Sequence, residues 1–351
     1  REVKHMYRII SRLFSSFGLT PFLIAFLAAA PVLARSQILT EFHVNLLNYS
    51  MIFGITGMAL ALLLGYTGLL SFGHAAYFAV GAYAVAMGRK YLNIDSLEAL
   101  LLLAIAASLL VSALFGLIAT RFTRIFFAII TLSLTQVVWA STLKTYWITG
   151  GSDGIRVPAL SVFGIGFHEA MSRPEYLFSV FYYYTLLVFI ISVAIFWVIL
   201  NSPFGRTLQA IRDNEVRAEF MGIKIKRYRW YSFIISGTFT GLAGALFAVL
   251  NGHVTPEIAN WVFSGDIVFL TVLGGVRIFD GPLIGAIVFM FVRQYAMGYT
   301  IYWQFILGVV LVALVLGFSK GIMGTVYDLL GKAFMAKVKT ISSSTVMKTH
   351  Q

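Results

Sequence analysis

The sequence predicts an all-α, polytopic membrane protein of about ten transmembrane helices with glycine-interrupted segments. Three observations carry that expectation. Of the 351 residues, 59% are hydrophobic and only 11% charged, with a mean hydropathy of +0.87, far from the balance of a soluble globular domain. Apolar runs of about 20 residues, the length a bilayer requires, recur along the whole chain between short charged turns. The 26 Lys and Arg cluster in particular loops and tails, as short cytoplasmic connections demand, so the formal charge of +12 reads as membrane topology and lipid contact, with no nucleic-acid partner. The absence of cysteine excludes disulfides, thiolate metal sites and thiol nucleophiles.

In chain order, residues 1–19 read as a basic cytoplasmic segment, retained rather than cleaved because no cleavage site stands out. Spans follow near residues 20–35, 44–64, 73–88, 97–119, 125–147, 177–200, 229–250, 261–274, 282–298 and 302–318, making 20–318 one transmembrane domain. The turns Arg121 to Arg124, Asn201 to Tyr228 and Gly274 to Gly281, and everything after Phe318, are rich in Lys or Arg and are expected inside, which leaves both termini cytoplasmic. The loop carrying Arg89 and Lys90 resists that assignment, offset in part by Asp95 and Glu98. The connection 148–176 is expected outside, glycine-rich and polar, either a plain surface loop or a docking site. The tail 319–351 is expected cytoplasmic, its Ser-rich end without fixed structure.

The stretch "GYTGLLSFGHAAYFAVGAYA", Gly65 to Ala84, is not an ordinary span. Glycine in a helix costs about 1 kcal/mol relative to alanine, yet within a membrane it permits close helix contact and non-helical backbone. Such backbone is tolerated only where it is buried in protein or lines a cavity. Gly65, Gly68 and Gly73, with Tyr66, Ser71 and His74 among them, therefore suggest either a broken span beside a pathway or a turn followed by a small-residue packing face. A second cluster, "TVLGGVRIFDGPLIGAIVF" with Gly274 and Gly275, reads as its partner. Asp266 and Arg293 are the ionisable residues placed at membrane depth.

In the loop 201–228, Pro203 suits a first helical position behind Ser202, with Leu208 and Ile211 on one face. Asp213 or Asn214 then caps a second short helix running to Met221, with Gly222 as its left-handed stop. So compact a helix needs a surface to pack against. Mixed charge favours a protein partner over anionic lipid, the alternative offered by Lys224, Lys226, Arg227 and Arg229.

The ordered series "GYTGLLSFGHAAYFAVGAYA", "TRIFFAIITLSLTQ" with "GGSDGI", "SPFGRTLQAIRDNEVRAEFMGI", "SGTFTGLAGAL" and "VLGGVRIFDGPLIGA" resembles the LivM family, the permease subunits of branched-chain amino acid ABC importers. The resemblance runs from about residue 45 to 325. It implies an ABC importer permease fold in a bacterial inner membrane, a LivH-like second permease, two ABC ATPase subunits carrying ATP and Mg, and an external solute-binding protein, with no cofactor, metal or catalytic residue in this chain. It also implies that Asp213, Asn214, Glu215, Ala218, Met221 and Gly222 couple to an ATPase. Gly65, Tyr66, Gly68, Ser71, Gly73, His74, Gly274 and Gly275 would border the translocation path, and Gly151, Ser152 and Asp153 would face the binding protein. The stretch "LGFSKG", Leu316 to Gly321, departs from the family in lacking a proline, and the tail is unfamiliar.

No GxxxxGK[ST] occurs, so the chain has no P-loop of its own. An intramembrane enzyme is disfavoured: HExxH is absent, Asp266 follows FSG rather than GxG, and Ser152 has no evident histidine partner. The stronger rival is a stand-alone secondary transporter or channel, which uses broken helices equally well.

Overall fold

The computed structural model describes residues 18–167, 171–318 and 320–329. Most of the segments 1–19 and 319–351, including Ser319 of LGFSKG, and residues 168–170 of the long connection lie outside the described residues. All ten apolar segments are helical. They are α1 (Thr20–Arg35), α2 (Glu41–Ala61, prolonged by a π-helical turn Leu62–Thr67), α3 (His74–Leu92), α4 (Leu97–Ala119), α5 (Arg124–Lys144) and α6 (Val180–Asn201); the short α7 (Pro203–Asp213) and α8 (Glu215–Phe220) intervene before α9 (Ile225–Asn251), α10 (Trp261–Gly274), α11 (Gly281–Tyr299) and α12 (Trp303–Gly317). Six stretches, Glu41–Thr67, Leu97–Ala119, Arg124–Lys144, Arg173–Asn201, Ile225–Asn251 and Gly281–Tyr299, are long and apolar enough to cross a membrane. α1, α10 and α12 are shorter apolar helices. Hydrocarbon offers no hydrogen bonds, so spans that satisfy their own backbone are the expected solution.

Burial ranks the helices. The apolar window of α2 is 94% buried and that of α9 67%, against 28% for α4 and 22% for α5, so α2 and α9 form the centre and α4 and α5 present apolar surface outward. Lipid tails are as apolar as leucine, so helices associate by close packing rather than by hydrophobic burial. The "SGTFTGLAGAL" motif is that packing surface. A Cβ on Gly244 of α9 would collide with the Phe78 carbonyl of α3, and one on Gly241 with Ser108 of α4. Where α2, α3, α9 and α10 cross, Phe78 meets Phe263, Phe247 and Phe53 with ring centroids 4.9, 5.2 and 5.8 Å apart.

The long connection is more ordered than its composition suggests. Its strand β1 (Ile155–Arg156) pairs antiparallel with β2 (His253–Val254), Ile155 opposite Val254. The Ser161 hydroxyl and amide both donate to the Asp95 carbonyl, at 2.8 and 3.0 Å, which lays the connection across the start of α4. The resistant Arg89 is paired with Asp95 at 3.1 Å.

Candidate functional site

The chain leaves the helical path between α2 and α3. After the π-helical turn, Gly68 takes the left-handed φ of +79° and residues 69–73 run without helix until α3 begins at His74. Their polar backbone groups find side-chain partners. The Phe72 amide donates to Thr131 Oγ1 at 3.1 Å, and the Thr135 hydroxyl shares its proton between the Phe72 and Thr131 carbonyls at 3.2 and 3.0 Å. The Gly73 amide donates to Ser71 Oγ at 3.1 Å, and the Ala75 amide to Ser264 Oγ of α10 at 3.0 Å. Thr131 and Thr135 thus clamp both polar groups of Phe72 from one face of α5. Sequence reasoning missed them as site residues, although two hydroxyls four apart in the "TLSLT" of an apolar helix were the available signal.

The two glycine clusters meet. A Cβ on Gly65 would overlap the Val276 carbonyl, and one on Gly274 the Gly281 carbonyl, so these positions admit only hydrogen because backbone touches backbone. Gly65, Ser71, Gly73, His74, Gly274 and Gly275 are all buried in this packing. Tyr66 borders a cavity of about 390 Å³ that also contacts Gln209, Arg277 and Asp280, and Gly68 borders an apolar recess of about 520 Å³ against α5. His74 Nε2 lies 2.9 Å from Ser236 Oγ. Ser236 gives its one proton to the Ala59 carbonyl, so the imidazole donates from Nε2, with Nδ1 unpaired among the described residues. Nearby, buried Asp280 accepts from the Leu19 amide and the Tyr327 hydroxyl, both at 2.7 Å. Burial, and then the bond to Asp280, pushes the Tyr327 phenol up.

Two short helices are attached to this break. Ser202 caps α7 through the Gly205 amide at 3.4 Å, and Leu208 and Ile211 are buried as one face. Asn214, not Asp213, caps α8: its Oδ1 accepts from the Arg217 amide at 2.9 Å. Met221 ends the helix and Gly222 follows with φ +80°. Asp213 holds Arg212 at 3.0 and 2.8 Å, and the Arg212 guanidinium donates to the Gly65 carbonyl. Glu215 receives both terminal nitrogens of Arg229, at 2.9 and 2.8 Å, tying α8 to the base of α9. Arg229 is therefore a buried partner of α8, while the lipid alternative had grouped it with its basic neighbours. Ala218 is buried against Ile211 and Ile225. What α8 and its end present outward is Val216, Met221 and Phe220, the last 88% exposed.

At the opposite end, Gly151 is buried while Ser152 and Asp153 are exposed. The Asp153 carbonyl accepts from His253 Nε2 at 2.8 Å. A cavity of about 630 Å³ opens beneath, between α2, α9, α10, α11 and α12, and contains Asp266 and Arg293 as an ion pair at 3.4 Å.

The family described as branched-chain amino acid transport system / permease component matches residues 42–315. The chain is 27% identical over 318 residues to the high-affinity branched-chain amino acid transport system permease protein LivM of Escherichia coli, covering 86% of this chain and 74% of that one. It is 26% identical over 274 residues to the probable LivM of Methanocaldococcus jannaschii, 68% of this chain and 76% of that protein. Over 149 residues, 40% of this chain and 47% of the other, it is 26% identical to the probable LivH of the same organism. No solved structure matches the chain.

Proposed function

The chain belongs to the branched-chain amino acid transport permease family, and on that premise we propose that it forms, with a LivH-like second permease, an ATP-driven path for branched-chain or related amino acids. Membership of that family also sets aside the stand-alone transporter or channel as the reading of this chain. Two ABC ATPase subunits bind ATP and Mg and supply the force; an external solute-binding protein delivers the cargo. The end carrying α7 and α8 faces the cytoplasm, since it gathers Arg206, Arg217, Lys224, Lys226 and Arg227. Both termini lie on that side, and the exposed Ser152 and Asp153 face the binding protein.

One observation carries the mechanism: α8 turns an apolar surface outward, while a guanidinium-to-carbonyl hydrogen bond from Arg212 just before it and the Glu215–Arg229 ion pair run inward. Val216, Phe220 and Met221 sit in a groove of the ATPase. When nucleotide closes the ATPases, Arg212 moves the Gly65 turn and Glu215 moves the base of α9, so the break between α2 and α3 changes place and access alternates. Asp213, Asn214 and Gly222 serve this by holding Arg212, starting α8 and stopping it, and Ala218 by seating it.

Reconstitution tests the reading. Leucine uptake into liposomes should require the second permease, both ATPases, loaded binding protein and ATP together. Ion-gradient uptake by this chain alone would overturn it.

A further inference from the structure

The 630 Å³ cavity holds a charged pair in a setting that does not complete its bonding. Asp266 lies five residues into α10 and Arg293 six residues before the end of α11, about 7.5 and 9 Å along the respective axes. Both therefore stand at similar depth below the strand end. Their contact is a single one, Arg293 Nη1 to Asp266 Oδ2 at 3.4 Å, with side chains 25% and 17% exposed. The pair Glu215 and Arg229, by contrast, makes two contacts at 2.9 and 2.8 Å, so each partner there is engaged by the other. Arg293 instead lies over the Trp303 ring, 5.5 Å from its centroid. The contact to Asp266 is the hydrogen bond its guanidinium makes among the described residues, so its other N–H donors remain open to the cavity.

Ions at this depth are expensive and persist where a charged or dipolar cargo completes them. An α-amino acid does so at both ends. Its carboxylate takes the fork of Arg293, its ammonium takes Asp266, and its side chain lies against Phe53, Phe247, Phe263 and Met290, which line the same cavity. We infer that Asp266 and Arg293 form a way-station inside the permease that reads the zwitterionic head of the cargo while the aromatic wall accepts an apolar side chain. This deepens the transport reading above and rests on it for the class of solute. The site pairs with both charges of the cargo, so a molecule with the ammonium or the carboxylate alone leaves one member of the pair uncompensated.

The assembled transporter in nanodiscs, without ATP and without the binding protein, provides the test. Equilibrium binding of tritiated leucine is measured in competition with isoamylamine, which lacks the carboxylate, and isocaproate, which lacks the amine. Leucine should bind, and each truncated analogue should compete about tenfold or more weakly than unlabelled leucine. Asp266→Asn and Arg293→Gln should each weaken leucine binding by about tenfold or more. The analogue series uses the unaltered protein, so it decides even if a variant fails to assemble. Absent leucine binding, equal competition by all three compounds, or undiminished binding in both variants overturns the station. ATP-driven leucine uptake by the same preparation is scored separately. Its failure with binding intact sinks the transport reading and leaves the station standing.

Discussion

Replacing Glu215 by glutamine removes one charge from the link between α8 and α9 while preserving the shape of the side chain. Arg229 is 8% exposed in its side chain and Glu215 46%, so the pair is half in water. Exposed ion pairs contribute about 0–1 kcal/mol, and breaking a fully buried one costs about 3–5 kcal/mol. After discounting for the solvated carboxylate, this break should cost about 1–3 kcal/mol, mostly from stranding a buried guanidinium. Expressed as a coupling constant, that is about a 5- to 150-fold shift in how often the base of α9 follows α8. The assay is solute transported per ATP hydrolysed by the reconstituted complex. The ratio should fall several-fold while ATP is still hydrolysed, and the reversed pair Glu215→Arg with Arg229→Glu should recover part of it. An unchanged ratio in Glu215→Gln would refute the idea that this link carries motion.

Three further outcomes follow from the same geometry. Gly65→Ala forces a methyl into the Val276 carbonyl with backbone on both sides, so it should cost more than about 3 kcal/mol and lower the yield of monodisperse protein; normal yield and melting temperature would show that the two turns do not touch. Thr131→Val combined with Thr135→Val strands the Phe72 amide and carbonyl, at a cost of about 1–3 kcal/mol; hydrogen exchange at the Phe72 amide should accelerate about 5- to 150-fold, and unchanged protection would argue against the clamp. Gly222→Ala meets no atom within 4 Å, so only its φ of +80° penalises it, by about 1–2 kcal/mol; Gly222→Val should lower uptake per ATP further, and neutral behaviour of both would remove the helix stop from the mechanism.

The parts legible in the sequence are those governed by local or bilayer physics. Ten apolar runs became ten helices because the membrane prescribes length and forbids open backbone. The loop 201–228 was readable to within a residue because caps are local: Ser202 and Asn214 start the helices and Gly222 ends the second. Gly68 and Gly275 mark breaks for the same reason. Long-range partners were not legible. Nothing local to Arg229 distinguishes it from Lys226 or Arg227, and only the fold brings it to Glu215, fourteen positions away. Arg212 reaching back to Gly65 spans 147 positions. The burial order within α8 was likewise set by the fold: Ala218 is seated inside, while Phe220 is 88% exposed. Asp266 and Arg293 stood out singly as ionisable residues at membrane depth, and their pairing required α10 and α11 to pack side by side.

Because the chain contains no cysteine, a single Phe220→Cys substitution supplies a unique thiol at the tip of α8. Photocrosslinking from that thiol in the assembled transporter, before and after ATP is added, measures where force enters. The account predicts a crosslink to an ATPase subunit whose yield changes with nucleotide, and reaction with an impermeant maleimide only from the cytoplasmic face. Labelling from the outer face, or an assembled and active complex with no crosslink to the ATPase, would contradict it.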